Sequence, residues 1–432
     1  MRWLALGFCI ATVLGGIALT LVSALTGTQF WSPPRIVLYG FVPVLISAVA
    51  FALIWRGDAA RKLFAACGLA VVTAAIAADV QLGSEIGARP APAALTPLHS
   101  FAEFRRQGVR AFPHACGISF DLRTPALAVN GTPVQPVTGL AHNLLTPYEP
   151  DRQSWRFTDQ HGFNNPPGQW DRSANVLVVG DSFAFGSQVP IGQGFVDRLR
   201  ERIGPTVNLG CGGNGPLLEL AALAEYGPLL RPPTVLWAYY EGNDLSGDLP
   251  SELQSAILPR YLTPGFSQGL ADKAPQLDAA MLAFLLKAEA AARPGIAVAK
   301  AALLPAIDRN NLLLVNLRRA FGISHRYGAR ILDRLGAVLV RAKAIAAQWG
   351  GEVVFVYLPD EGRYAGALGE WDAEAYAAPV RDLVAQLGLR VIDVAPAFAR
   401  QPQPRTLFQG HYTATGHRVV ADTIAPALTR SR

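Results

Sequence analysis

Charged side chains are scarce in this chain. Asp, Glu, Lys and Arg make up 16% of its 432 residues while 51% are hydrophobic, whereas soluble domains carry about 25% charged residues. That balance argues against a chain lying wholly in water. The basic excess, 38 Lys+Arg against 32 Asp+Glu, is spread thinly, and no run of five basic residues occurs. The clustered basic stripe of a nucleic-acid partner is therefore missing. Cysteines are also few, four in all. Cys9 and Cys67 fall in apolar runs, where they act as small hydrophobes. His114 and Cys116 stand close together but lack a second ligand pair at zinc-like spacing, so no metal site is expected. There is no internal repeat.

What is abundant is apolar sequence at the N-terminus. Trp3–Leu25 and Ile36–Trp55 are uncharged runs, each about as long as a bilayer crossing requires. A third run starts at Leu63 and stays uncharged to Ala78, or reaches Leu82 if Asp79 is included. Arg2 precedes the first run, and Arg56, Arg61 and Lys62 crowd the loop between the second and third. Basic residues are retained on the cytoplasmic side, so three crossings leave everything after residue 83 outside the cytoplasm. If the first run were a cleaved signal peptide, with Val22-Ser23-Ala24 near its site, the remaining pair would give the same topology. The expected organisation is an anchor at 1–83, an Ala/Pro-rich linker at 84–97 and a small β-rich segment at 98–170. Cys116 and Cys211 then share an oxidising compartment, which permits a disulfide.

From Asn175 the texture changes. Asn175–Val179, Val207–Leu209, Thr234–Tyr240, Glu352–Leu358 and Arg390–Val394 are short apolar runs, the mark of strands buried on both faces. Phe195–Ile203, Leu217–Leu230, Ile331–Trp349 and Ala373–Leu387 alternate with them at helical spacing. Strand–helix alternation predicts an α/β domain over 171–432 with a parallel sheet covered on both sides. Residues 245–330 interrupt the rhythm and read as inserted helices.

The chemistry-bearing residues fall at predicted strand ends. Ser182 follows the first strand in Val178-Val179-Gly180-Asp181-Ser182-Phe183, at the edge where open α/β sheets bind ligands. It reads either as a nucleophile, which needs a base within hydrogen-bond reach, or as a helix N-cap. His411 precedes the last helix and is the best candidate base, while His417 reads as a packing residue. Asn208–Pro216 is glycine-rich and can turn backbone N–H groups toward a substrate. Glu241-Gly242-Asn243-Asp244 follows the third strand and offers an amide donor.

These segments resemble the ordered blocks of the SGNH (GDSL-type) hydrolase superfamily, and Asp159–Pro166 is similar to the run-in of many bacterial members. The resemblance covers about Phe157–Leu428, without the insertion. It implies a flavodoxin-like α/β sandwich, with Ser182 as nucleophile, His411 as base, and Ser182, Gly213 and Asn243 as the oxyanion hole. No cofactor is implied. One departure stands out: where the family has an Asp three residues before the base, this chain has Phe408. Either a Ser182–His411 dyad operates, or another acceptor serves, Asp393 being one candidate orienter.

A second pattern competes locally. Gly210-Cys211-Gly212-Gly213-Asn214-Gly215 satisfies G-x-G-x-x-G, with Glu241 as an acidic residue further on. It follows the second strand rather than the first, and Pro216 opens its helix, which argues against a dinucleotide site. The resemblance implies an esterase at a bacterial inner membrane, its catalytic domain periplasmic, cleaving acyl esters on an envelope polysaccharide or lipid. The alternatives are an O-acyltransferase for a cell-surface glycan, with a membrane acyltransferase as partner, and a non-catalytic scaffold. The expected partners are the lipid bilayer and an acylated glycan or lipid, with no nucleic acid.

Overall fold

The computed structural model describes residues 97–112, 116, 120–124, 127–145, 156–291 and 327–429, with isolated positions between 45 and 78. Apart from those positions, the three apolar runs, the linker before Pro97 and the stretch 292–326 of the insertion lie outside the described residues. Among the described residues no helix is long and apolar enough to cross a membrane.

The chain divides into two compact units, one of 91–297, 333–360 and 381–432, the other of 1–90, 298–332 and 361–380. In the second unit the Tyr327 hydroxyl donates to the Tyr376 carbonyl and Arg363 pairs with Glu374 at 3.2 Å.

The first unit opens with α1 (Pro97–Arg106), where strands and loops were expected. Phe101 and Phe104, three residues apart, present one helical face, and both pack with Ala111 and Leu144. β1 (Leu127–Val129) and β2 (Thr132–Val134) form a hairpin. Its turn, Asn130-Gly131, has φ of 51° and 77°, as a two-residue I′ turn requires. β3 (Leu144–Leu145) pairs with β4 (Arg156–Phe157).

The central sheet contains β5 (Val176–Gly180), β6 (Thr206–Asn208), β7 (Thr234–Tyr240), β8 (Glu352–Leu358) and β9 (Arg390–Asp393). All neighbours are parallel, in the order β6-β5-β7-β8-β9. Counted along the chain this is the flavodoxin-like order, with its switch point between β5 and β7. Every residue of β5 is buried, and all of β7 and β8 beyond the first residue, which is why these runs are continuously apolar.

The helices are α2 (Ser182–Phe185), α3 (Phe195–Ile203), α4 (Pro216–Leu230), α5 (Leu249–Glu252), α6 (Ala274–Ala291), α7 (Ala329–Ala347), α8 (Ala367–Gln386), α9 (Ala395–Ala399) and α10 (Ala414–Thr429). α3 packs against α10. α4 meets the turn after α7 where Gly227 faces Trp349, and α7 meets α8 where Gly336 faces Leu383.

Two polar nets fix what surrounds the sheet edge. Asp159 accepts from His161 N–H, Phe163 N–H, the Asn165 amide and the Trp170 indole, at 2.7 to 2.9 Å. Asn165 then pairs like a peptide with Asn208, its amide donating to the Asn208 carbonyl and its Oδ1 accepting the Asn208 N–H. This covers the open edge of β6, which would otherwise expose unpaired backbone groups. Within the insertion, the loop between α5 and α6 is tied down by Glu225 of α4, which accepts from Tyr261, Ser267, Gln268 N–H and Leu270 N–H.

Cys116 and Cys211 are joined by a disulfide across a sequence separation of 95, and both are buried. Replacing both by Ala is expected to lower the unfolding free energy by about 2–5 kcal/mol. Urea unfolding checks this; an unchanged midpoint would show that the bridge adds nothing.

Candidate active site

The site is built at the carboxyl ends of β5, β6 and β7. β5 ends at Gly180, and the next residue, Asp181, caps a single helical turn by accepting the Phe183 N–H on Oδ1 at 2.8 Å. That places Ser182 as the first residue of α2. The turn fits only because the second residue after β6 is glycine: a Cβ on Gly210 would lie 2.6 Å from Ala184 Cβ. Ser182 therefore sits in a helix-opening turn, but Asp181 does the capping.

His411 arrives from the other end of the chain. β10 (Phe408–Gln409) and β11 (His411–Tyr412) form a tight hairpin through Gly410, at φ 79°. The Tyr412 hydroxyl donates to the Pro359 carbonyl at 2.7 Å, tying the hairpin to the loop after β8. Across 229 residues of sequence, His411 Nε2 comes to 2.8 Å from Ser182 Oγ. Burial lowers the imidazole's pKa, so the ring is neutral at pH 7. A neutral ring accepting the serine proton on Nε2 carries its own proton on Nδ1.

That Nδ1 is buried and has no hydrogen-bond partner among the described residues. Asp393, expected as a substitute orienter, does not supply one, which corrects that expectation. Its Oδ1 accepts the Ala395 N–H at 2.9 Å, at the start of α9, and its Oδ2 lies 3.8 Å from Arg381. Phe408 is buried and packs on Phe398 and Tyr412. What touches the imidazole is aromatic. The Phe183 ring lies 5.0 Å from it and stacks on Tyr240 at 3.8 Å. Tyr240 is fixed in turn by donating to Asp360 Oδ1 at 2.7 Å.

The glycine-rich loop forms the facing wall. Asn214 N–H donates to the Cys211 carbonyl at 3.1 Å. Gly213, the third residue of that turn, has φ 77°, the left-handed value that a type II turn demands there. A Cβ on Gly212 would lie 4.0 Å from Ser182 Cβ, so the loop borders the hydroxyl. Asn243 precedes a π-helical turn, Asp244–Asp248, and its carbonyl accepts from Gly247 and Asp248. Its side-chain amide donates to the Asp181 carboxyl, and its Oδ1 is buried without a partner among the described residues. Glu241 is committed elsewhere, accepting from the Tyr357 hydroxyl and Asp360 N–H at 2.8 Å. His417 is fully buried and accepts the Phe195 N–H that opens α3. Burial pushes its pKa down to about 3.

Five carboxyls gather beneath this wall: Asp181, Glu219, Asp244 and Glu252, which are buried, and Asp248, which is half-buried. Glu252 caps α4 from outside, accepting from Gly215, Leu217 and Leu218 N–H groups, donors that helix leaves unpaired because Gly215 has no side chain to cap with. Asp244 accepts the Tyr240 N–H. By contrast both oxygens of Glu219, and one each of Asp244 and Asp248, are buried without a hydrogen-bond partner among the described residues. Burial pushes Asp181 up to about 7, Asp248 to about 8 and Glu252 to about 7. Burial and the neighbouring acids carry Glu219 and Asp244 well above the usual carboxylate range. Among the described residues no His, Cys, Asp or Glu group is arranged to hold a metal ion.

The aromatic support and the carboxyl cluster escaped the reading of the sequence. A signal existed for the cluster: Glu219 is a lone acid in the otherwise apolar run Leu217–Leu223, on a helix buried nearly all round.

No family model matches the chain, and no curated protein does. Solved structures resemble it at a low level. One is a member of the lipolytic protein G-D-S-L family from Veillonella parvula, 13% identical, with a TM-score of 0.31 over 59% of this chain and 98% of that one. Another is an alpha/beta hydrolase enzyme from the metagenome of Lake Arreo, 16% identical, with a TM-score of 0.30 over 61% of this chain and 98% of that one. The functional case rests on the geometry of the site.

The cluster predicts how stability varies with pH. Unfolded carboxyls titrate near pH 4, while these stay protonated in the fold to about pH 7–8. Between those limits the native state binds more protons, so stability is greatest below the unfolded pKa and falls as pH rises through the folded values. The melting temperature should drop between pH 5 and pH 8, and Glu219→Gln should reduce that drop. A melting temperature that rises over this interval would contradict the assignment.

Proposed function

We propose that this chain is a membrane-anchored serine esterase of the SGNH type, acting on acyl esters of an envelope polysaccharide or lipid outside the cytoplasm. One observation carries the reading: the 2.8 Å contact between Ser182 Oγ and His411 Nε2 at the ligand-binding edge of an open parallel sheet. The apolar runs before residue 83 support the anchor, and the location follows from their flanking basic residues.

The chemistry follows from the arrangement. Neutral His411 takes the hydroxyl proton as Ser182 Oγ attacks the ester carbonyl. The tetrahedral oxyanion is held by the N–H groups of Ser182 and Gly213 and by the Asn243 amide. The imidazolium then protonates the leaving alcohol oxygen, leaving an acyl-serine. Water, deprotonated by His411, attacks the acyl carbon, and the proton returns to Ser182 as the acid departs. A glycan hydroxyl in place of water would make the same machine an O-acyltransferase. Unpartnered Nδ1 and Phe408 are what favour a non-catalytic scaffold instead, and the Ser182–His411 contact weighs against it.

Hydrolysis of p-nitrophenyl acetate by the full chain tests the reading. Ser182→Ala and His411→Ala should each lower kcat by about a thousand-fold, within the range a positioned base supplies. Equal turnover by wild type and Ser182→Ala would leave the scaffold.

A further inference from the structure

Gln188 stands in the loop that leaves α2, and it carries two local costs. Its backbone is left-handed, at φ 64°, a region that glycine enters freely and a residue with a Cβ does not. Its side-chain Oε1 is buried without a hydrogen-bond partner among the described residues, so a polar atom has left water without compensation. Other left-handed residues have plain local reasons. Asn130 shapes the turn between β1 and β2, and Arg231 ends α4 by donating its N–H to the Gly227 carbonyl. Strain kept beside a reacting pair points to function.

Gln188 reaches both members of the dyad. On its backbone side, the N–H groups of Gly186 and Ser187 donate to the Ser182 carbonyl at 3.1 and 3.0 Å, so the loop is fixed to the nucleophile turn. On its side-chain side, the amide lies against Gly410, the turn residue of the hairpin that carries His411. A Cβ at Gly410 would stand 3.3 Å from Gln188 Oε1, 3.8 Å from Nε2 and 4.0 Å from Cδ. That hairpin is a sheet of two strands with two residues each, too small to hold a position unaided. Tyr412 fastens its second strand to the Pro359 carbonyl, and the Gln188 amide meets its turn. We propose that Gln188 is a positioning residue for the base, a strut from the nucleophile turn to Gly410 that keeps His411 Nε2 within reach of Ser182 Oγ. A base acts only within hydrogen-bond reach, and a displacement of about 1 Å can cost about a hundred-fold in rate. The strut is kept although glycine would suit its backbone better. This rests on the esterase reading and names what holds its base in place.

The test sets melting temperature beside kcat and KM for p-nitrophenyl acetate, in the full chain. The variants are Gln188→Gly, Gln188→Met, Gly410→Ala and the pair Gln188→Gly with Gly410→Ala. Gln188→Gly suits the left-handed backbone and removes the orphaned oxygen, so it should melt at or above the wild-type temperature. Its kcat should nonetheless fall about ten-fold or more, with KM changed less than about two-fold, because the side chain places the base rather than the substrate. Gln188→Met restores the length without the amide and should recover most of kcat, since the contact with Gly410 is one of packing. Gly410→Ala pushes a methyl group at the amide and should slow the wild type by a larger factor than it slows Gln188→Gly. A lower melting temperature for Gln188→Gly makes the residue structural only and overturns the proposal. So does an unchanged kcat, a Met variant as slow as the Gly variant, or an equal effect of Gly410→Ala in both backgrounds. Wild-type turnover that does not depend on Ser182 removes the esterase reading and this inference with it, whereas Ser182-dependent turnover that Gln188→Gly leaves intact removes this inference alone.

Discussion

A hydroxyl and an imidazole drawn from opposite ends of a domain must be held within hydrogen-bond reach, and that constraint organises the structure around the site. The parallel sheet supplies the frame, because all its strands end on one edge and neighbouring ends can present different groups to one point. β5 delivers Ser182, the loop after β6 delivers Gly213, and the turn after β7 delivers Asn243. The hairpin carrying His411 belongs to no sheet strand and is fastened separately, by the Tyr412 hydroxyl on the Pro359 carbonyl. The disulfide at Cys211 anchors the facing loop one residue before Gly212.

Among the described residues no carboxylate meets Nδ1 of the His411 imidazole, and aromatic packing holds the ring. Phe183 contacts the ring, Tyr240 stacks beneath Phe183, and Asp360 fixes Tyr240. Such a stack holds orientation but does nothing for the charge that develops on the ring. An unpartnered Nδ1 leaves the imidazolium less stabilised, in line with the lowered pKa of His411. The site also carries its acids under the glycine-rich wall rather than behind His411. There the carboxyls gain by staying neutral, since ionising one in such a crowded group sets it against its neighbours.

The sheet was legible in the sequence because strands buried on both faces leave near-continuous apolar runs. Thr234–Tyr240 and Glu352–Leu358 match the observed strands to the residue, and Phe195–Ile203 matches α3. Ser182, Gly213, Asn243 and His411 were legible because each stands at a strand end or beside a helix start with a recognisable local motif. α1 was missed because only two aromatic residues mark its face and a Pro precedes them. Glu252 was missed because it caps a helix 36 residues upstream of it, a pairing without a local signature. Asp393 looked available as an orienter, yet its position at a strand end commits it to the backbone of α9.

The most direct measurement is a crystal structure of the full chain after reaction with a fluorophosphonate. The account predicts phosphorus bonded to Ser182 Oγ, with the phosphoryl oxygen about 3 Å from the Ser182 and Gly213 nitrogens and from Asn243 Nδ2. A label on another residue, or a phosphoryl oxygen turned into solvent away from Gly213 and Asn243, would contradict it.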